Sequence, residues 1–131
     1  MAMTSLLLFL ALTSTESPER CTRWHGTVSG NDPSVAVTVV LCERDDRQVH
    51  GTLEWRSRQS GTNTRRIAGA WAANRQSLAL RDVGLVGKPK PGWTFCPIDR
   101  YELVRTREGL VGEYHSAACH DAAKVALVPV R

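Results

Sequence analysis

Glycine weakens a strand interior, yet one five-residue phrase built around it recurs four times: large apolar, any residue, Gly, any residue, large apolar. The copies are Trp24-His25-Gly26-Thr27-Val28, Val49-His50-Gly51-Thr52-Leu53, Ile67-Ala68-Gly69-Ala70-Trp71 and Leu110-Val111-Gly112-Glu113-Tyr114. Side chains alternate along a strand with period two, so each copy puts its two apolar residues and its glycine on one face. A glycine kept at such a place marks a sharp bend, or a close approach by something on that face. Four bent strands with inward glycines predict a small closed or nearly closed barrel.

The intervening sequence supplies more strands. Residues 35–41 are rich in β-branched side chains, as a strand should be. Further strands are expected at 48–56, 64–72, 77–83, 100–106, 110–116 and 124–130. With the first at 24–28 they make eight short strands and no helix. The expected fold is all-β, an eight-stranded antiparallel up-and-down barrel. A two-sheet β-sandwich is the alternative. At 131 residues the chain is one domain. Residues 84–99 are broken by Gly84, Gly87, Pro89, Pro91, Gly92 and Pro97 and read as one long loop, of the kind that often carries function.

Turn chemistry sets strand registers. Asn31-Asp32-Pro33 closes a first hairpin. With Val28 opposite Val35, Gly26 faces Val37, Trp24 faces Val39, and Cys21 falls opposite Cys42. Pairing Gln48 with Cys42 then puts Val49 opposite Leu41, Gly51 opposite Val39 and Leu53 opposite Val37. One face of this three-stranded sheet is apolar and the other polar, as an antiparallel sheet with one wet side requires. Arg107-Glu108-Gly109 marks a later hairpin. A turn over 106–109 aligns Cys96 with Cys119. Two disulfides are therefore expected, Cys21–Cys42 and Cys96–Cys119.

The N-terminus supports an oxidising destination. Leu6 to Leu12 form an apolar run of signal-core length, too short to span a bilayer, and small residues follow it. Residues 1–16 read as a signal peptide, although the positively charged start is missing, and 17–131 as the mature domain. An even cysteine count behind such a segment fits a secreted or periplasmic protein. Lysine occurs only at 88, 90 and 124, so arginine carries most of the basic charge, a balance that fits a GC-rich, bacterial genome. The formal net charge is +4. The arginines are scattered apart from Arg65-Arg66, with no basic stripe among exposed aromatics. This argues against nucleic-acid binding.

These strands resemble the calycin group of barrels, which includes lipocalins and avidins. The likeness covers residues 22–130 and rests on the meander, the early Trp24-His25-Gly26 and the recurrent apolar-x-Gly-x-apolar strands. Lipocalins carry Gly-x-Trp in the first strand, the reverse of the order here, and the polar set with which avidins hold biotin has no match. The resemblance implies a ligand-carrying barrel. A second likeness, resting on size, export and cysteine count, is to disulfide-bearing barrels that inhibit lysozyme in bacterial envelopes.

The candidate ligand-binding residues are aromatic. Trp24, Trp55, Trp71 and Tyr114 are expected to face inward, where large rings beside glycines either line a cavity or fill it. Trp93 sits among Lys88, Pro89, Lys90 and Pro91, either as a contact anchor for a partner or as a plug under the loop. Glu54, Asp82, Asp99, Glu102 and Glu113 read as scattered and wet, with Asp82 at the barrel rim and Asp99-Arg100 as a strand-end ion pair. No catalytic set is expected. His25 and His50 do not face each other across the sheet. Cys119, which has His115 and His120 nearby, is better used in a disulfide than as a ligand. No metal or cofactor is expected. The reading is an exported binding protein: a carrier of a small apolar or aromatic ligand, or else a module that binds a secreted protein, such as a hydrolase inhibitor. An enzyme on the same barrel is the third hypothesis.

Overall fold

The structure, a computed structural model, describes residues 18–30, 34–44, 46–57, 61–87, 91 and 99–131. Eight antiparallel strands follow in chain order: β1 (Arg20–Ser29), β2 (Val35–Glu43), β3 (Gln48–Ser57), β4 (Gly61–Trp71), β5 (Ser77–Val86), β6 (Arg100–Arg105), β7 (Leu110–Ser116) and β8 (Asp121–Pro129). Each pairs with the next, and β8 returns to β1 from Trp24↔Pro129 to Ser29↔Lys124. That last ladder closes the barrel and removes the sandwich alternative. It is the architecture that the calycin resemblance implies. No helix among the described residues is long and apolar enough to cross a membrane.

The glycine phrase has one structural cause. Gly26 lies against β8, Gly51 against β2, Gly69 against β5 and Gly112 against β6, which are alternate junctions around the ring. A Cβ at any of the four would lie 1.7–1.8 Å from a neighbouring backbone carbonyl oxygen, of Ala126, Val40, Ala79 or Glu102 respectively. No side chain fits there. The repeated glycine therefore lets adjacent backbones crowd together at every second junction, where the sheet turns to close.

Alternation fills the interior. Trp24, Val28, Val37, Val39, Leu41, Val49, Leu53, Ile67, Trp71, Leu78, Leu80, Leu103, Leu110, Val125 and Leu127 form one buried cluster with Tyr101 and Tyr114. Burying this much apolar surface is the main driving force for closure.

Two registers agree with the sequence reading. β1 and β2 pair from Val28↔Val35 to Cys21↔Cys42, and the two sulfurs are bonded. β6 and β7 pair from Arg100↔His115 to Arg105↔Leu110, with Thr106 N donating to Gly109 O at 2.7 Å across the turn. The third differs. Leu41 faces Gly51 and Val39 faces Leu53, two residues from the expected pairing. The ladder runs on only to Glu43↔Val49, and Arg47 takes a left-handed conformation (φ 63°) while Asp46 Oδ1 accepts from Gln48 N. The turn keeps five residues between its last partners but sits one residue further along the chain, at 44–48 instead of 43–47, and this moves the register by two. A two-residue shift leaves every side chain on its face, so the inward set survived the error. β5 also runs further than expected, through Val86, so Gly84 to Val86 belong to a strand and not to the loop.

Among the described residues the disulfide seen is Cys21–Cys42, where two were expected over the whole chain. No described cysteine is free. Cys96, the other half of the second expected bridge, lies outside the described residues.

A buried charge cluster at one barrel end

The strands define two ends. The near end holds the Cys21–Cys42 bridge and the β6–β7 turn. The far end is where β1, β3, β5 and β7 finish and the even-numbered strands begin. The far end is where the interior becomes polar.

On β4 the inward alternation Trp71, Gly69, Ile67 continues to Arg65 and Asn63, opposite Leu53 and Trp55 of β3. On β5 it runs Leu78, Leu80, Asp82, with Asp82 opposite Ile67. The register then shifts: Gly84, and not Val83, faces Arg66. Val83 is the extra residue of a bulge and turns outward, 53% exposed. On the other side of β5, Asp82 N donates to Asp99 O at 2.9 Å. This bond carries the β5–β6 ladder one step beyond Arg100 and sets Asp99 on the inward face, two residues before Tyr101.

These placements assemble one cluster. Arg65 Nη1 donates to Asp82 Oδ2 at 3.0 Å and to Asp99 Oδ2 at 2.6 Å. Arg65 Nε donates to Asn63 Oδ1 at 3.2 Å. Tyr101 OH donates to Asp82 Oδ1 at 3.3 Å, and Tyr114 OH to Asp99 Oδ2 at 2.8 Å. The guanidinium carbon lies 4.8 Å from the centroid of the Trp55 ring, a cation–π contact. Trp55 and Tyr114 centroids are 5.6 Å apart, and those of Tyr114 and Tyr101 5.4 Å. Arg65, Asp82 and Asp99 are 3%, 5% and 0% exposed, so all three charges are held out of water.

Burial and mutual charge set the protonation states. Burial pushes the Asp82 carboxyl up to about 6; the charge of Asp99 adds to the rise and Arg65 opposes it. Burial raises Tyr101 well above the usual phenol range, with the Asp82 charge adding. Tyr114 is raised first by burial, then by the hydrogen bond it gives Asp99. Both phenols therefore stay neutral donors. For Arg65, burial acts to release the proton, but Tyr101, Asp82 and Asp99 outweigh it and the guanidinium stays charged.

The cluster is unbalanced in two ways. With both carboxylates ionised it holds two negative charges against one positive. It also leaves polar atoms without partners. Among the described residues, three solvent-shielded side-chain polar atoms have no hydrogen bond, and two of them, Asp99 Oδ1 and Asn63 Nδ2, belong to this cluster. A buried acceptor or donor left unmade costs about 1–3 kcal/mol. The barrel carries that cost twice at one place.

The aromatic residues named from sequence do not form one site. Trp55, half-buried, and Tyr114, buried, meet at the far end. Trp24 and Trp71 lie in the core toward the near end. Trp24 Nε1 donates to Thr22 Oγ1 at 3.0 Å, and the Trp71 ring lies 4.5 Å from the Arg105 guanidinium carbon. Trp93 lies outside the described residues. Two expectations about charge are corrected. Asp82 is not a wet rim residue, because the bulge and three further strand residues carry the rim past it. Asp99 does not pair with Arg100, which is exposed; its partner is Arg65. Arg65 was missed as an interior residue. The signal was present, since it lies two residues before Ile67 on the same alternation, but an arginine beside Arg66 reads as surface charge.

The remaining polar groups offer less. His50 pairs with Glu19, and His115 with Glu113 at 3.0 Å, both on the outer surface. Glu19, Cys21 and Cys42 are metal-ligand types lying close together, but the two sulfurs are bonded to each other and supply no thiolate. No protein-family model matches the chain, and no curated protein matches it in sequence.

Proposed function

We propose that the protein is an exported, non-enzymatic carrier that binds a small ligand inside the far end of the barrel. The observation that supports this reading is the pair of shielded, unpartnered atoms, Asp99 Oδ1 and Asn63 Nδ2, on one cluster walled by Trp55, Tyr101 and Tyr114. Ligand sites in barrels combine an apolar wall with a few convergent polar groups, and perturbed carboxyls gather at functional sites. A core that needed only to be filled has no use for three charges and two unmet hydrogen bonds, because an apolar set of the same volume is as stable or more so.

The Cys21–Cys42 bridge supports an oxidising compartment. A signal peptide over 1–16, secretion or periplasmic residence, and a second bridge between Cys96 and Cys119 complete the proposal. A secreted protein as partner, met by the loop around Trp93, is the runner-up. An enzyme is the third reading; it draws on the Asp82 carboxyl, which at about 6 is poised to exchange a proton near neutral pH.

Native mass spectrometry of protein recovered from its own exported fraction tests the carrier. A small mass retained by the folded protein, and lost in Trp55→Ala, supports it. A bare protein that also binds nothing from an extract of its source overturns it, and a retained protein partner favours the runner-up.

A further inference from the structure

Resting on that reading, we infer that the ligand group taken by the far-end cluster is a cation with hydrogens to donate, an organic ammonium borne on a small aromatic or apolar body. Three observations carry this. First, with both carboxylates ionised, the described residues of the cluster set one guanidinium against two carboxylates, all 5% exposed or less, so among them the site is one positive charge short. Second, the free valence of its most deeply buried member is an acceptor. Asp99 is 0% exposed; its Oδ2 accepts from both Arg65 and Tyr114, while Oδ1 accepts from nothing. A carboxylate oxygen in that state is satisfied best by a charged donor, since charge-assisted hydrogen bonds are about twice as strong as neutral ones. Third, an anion meets the wrong groups. The only cation of the cluster among the described residues is already matched by two carboxylates, and a ligand carboxylate would be a third.

The other free atom adds detail. Asn63 Nδ2 is a donor, with its amide oriented by the bond from Arg65 Nε to Oδ1. A ligand with an acceptor oxygen close to its ammonium would satisfy both atoms. The aromatic wall separates an organic ammonium from an inorganic ion. Trp55 and Tyr114 offer ring surface that a hydrocarbon body covers and a bare metal ion does not.

The test is a matched set of probes against full-length mature protein, read by tryptophan fluorescence and by calorimetry. Phenethylamine carries the ammonium, phenethyl alcohol is its neutral analogue and phenylacetate its anionic one; phenylethanolamine adds the acceptor hydroxyl, and potassium and calcium chloride supply bare cations. Phenethylamine is expected to bind at least tenfold more tightly than the alcohol or phenylacetate, and phenylethanolamine more tightly still. Asp99→Asn should weaken both amines at least tenfold. Should that variant fail to fold, Asp82→Asn leaves a balanced Arg65–Asp99 pair and should lose the same preference. If the alcohol or phenylacetate binds as well as the amine, and Trp55→Ala removes that binding, the carrier stands and the cationic ligand is overturned. If the salts reproduce an effect that Asp99→Asn abolishes, the site takes an inorganic ion and the organic ammonium is overturned. If no probe binds and the recovered protein is bare, both readings fall together.

Discussion

Replacing Arg65 with methionine is the sharpest test of whether the far-end charges are a buried unit. Methionine keeps much of the length and apolar stem of the side chain, so the change removes the cation with little change in packing. In the native barrel one nitrogen, Nη1, serves both Asp82 and Asp99, at 3.0 and 2.6 Å. Without it two carboxyls that are 5% exposed or less face each other with only Tyr101 and Tyr114 as donors. Breaking a buried pair by removing one partner costs about 3–5 kcal/mol. With an unfolding entropy of about 2 cal/mol/K per residue, each kcal/mol lowers the melting temperature of a domain this size by roughly 4 °C. The expected loss at pH 7 is therefore about 12–20 °C, with the urea midpoint falling in step. Acid should return part of it. Burial already pushes Asp82 up, and losing the opposing guanidinium raises it further, so this carboxyl takes a proton as the pH falls to 5 and one of the two unpaired charges disappears. Thermal melts by near-ultraviolet circular dichroism at pH 5 and 7.5 read both effects. A loss below about 1 kcal/mol, or one that does not change between the two pH values, would refute the argument that these charges sit in a dry interior.

The native protein should show the same sign on a smaller scale. Asp82 is raised in the fold, so its contribution is complete below its unfolded value near 4 and is lost as the pH rises through about 6; stability should fall by roughly 1 kcal/mol from pH 5 to 7, and the same comparison in Asp82→Asn should remove that part of the slope. Gly69→Ala would place a methyl 1.8 Å from the Ala79 carbonyl oxygen, so β4 and β5 must separate; a loss of about 3 kcal/mol is expected in urea melts, and a neutral outcome would show that the junction is not tight. Opening the Cys21–Cys42 bridge in the double serine variant releases a span of 21 residues and should cost about 3 kcal/mol while leaving the near-ultraviolet spectrum of the barrel intact.

How much of this was legible in the chain varied from strand to strand. The β1–β2 and β6–β7 pairings followed from alternation plus a turn of defined length, and Cys21 opposite Cys42 came with the first of them. The β2–β3 pairing did not, because the charged stretch after Glu43 carries no glycine to announce that Arg47 turns left-handed. That error cost nothing on the inward face, since the period of a strand is two. The site was harder. Trp55 and Tyr114 were named, but so were Trp24 and Trp71, which the same alternation sends inward at a different height of the barrel. Arg65, Asp82 and Asp99 were visible as residues and misread as surface.

By itself the sequence determined which apolar side chains face in, that eight strands follow one another, and that four glycines must meet something close. Each of these is a local property, written in steps of two along one strand. The tertiary structure decided what met those glycines, namely the carbonyls of neighbouring strands at alternate junctions. It also decided where the rim lay, and so whether an inward charge was wet or dry. Depth in a barrel depends on how far each ladder runs, on one bulge at Val83 and on one backbone bond between Asp82 and Asp99. Arg65 lies 17 residues from Asp82 and 34 from Asp99 in the chain. Only closure of the sheet brings three such charges to one place, because no local pattern encodes the distance between them.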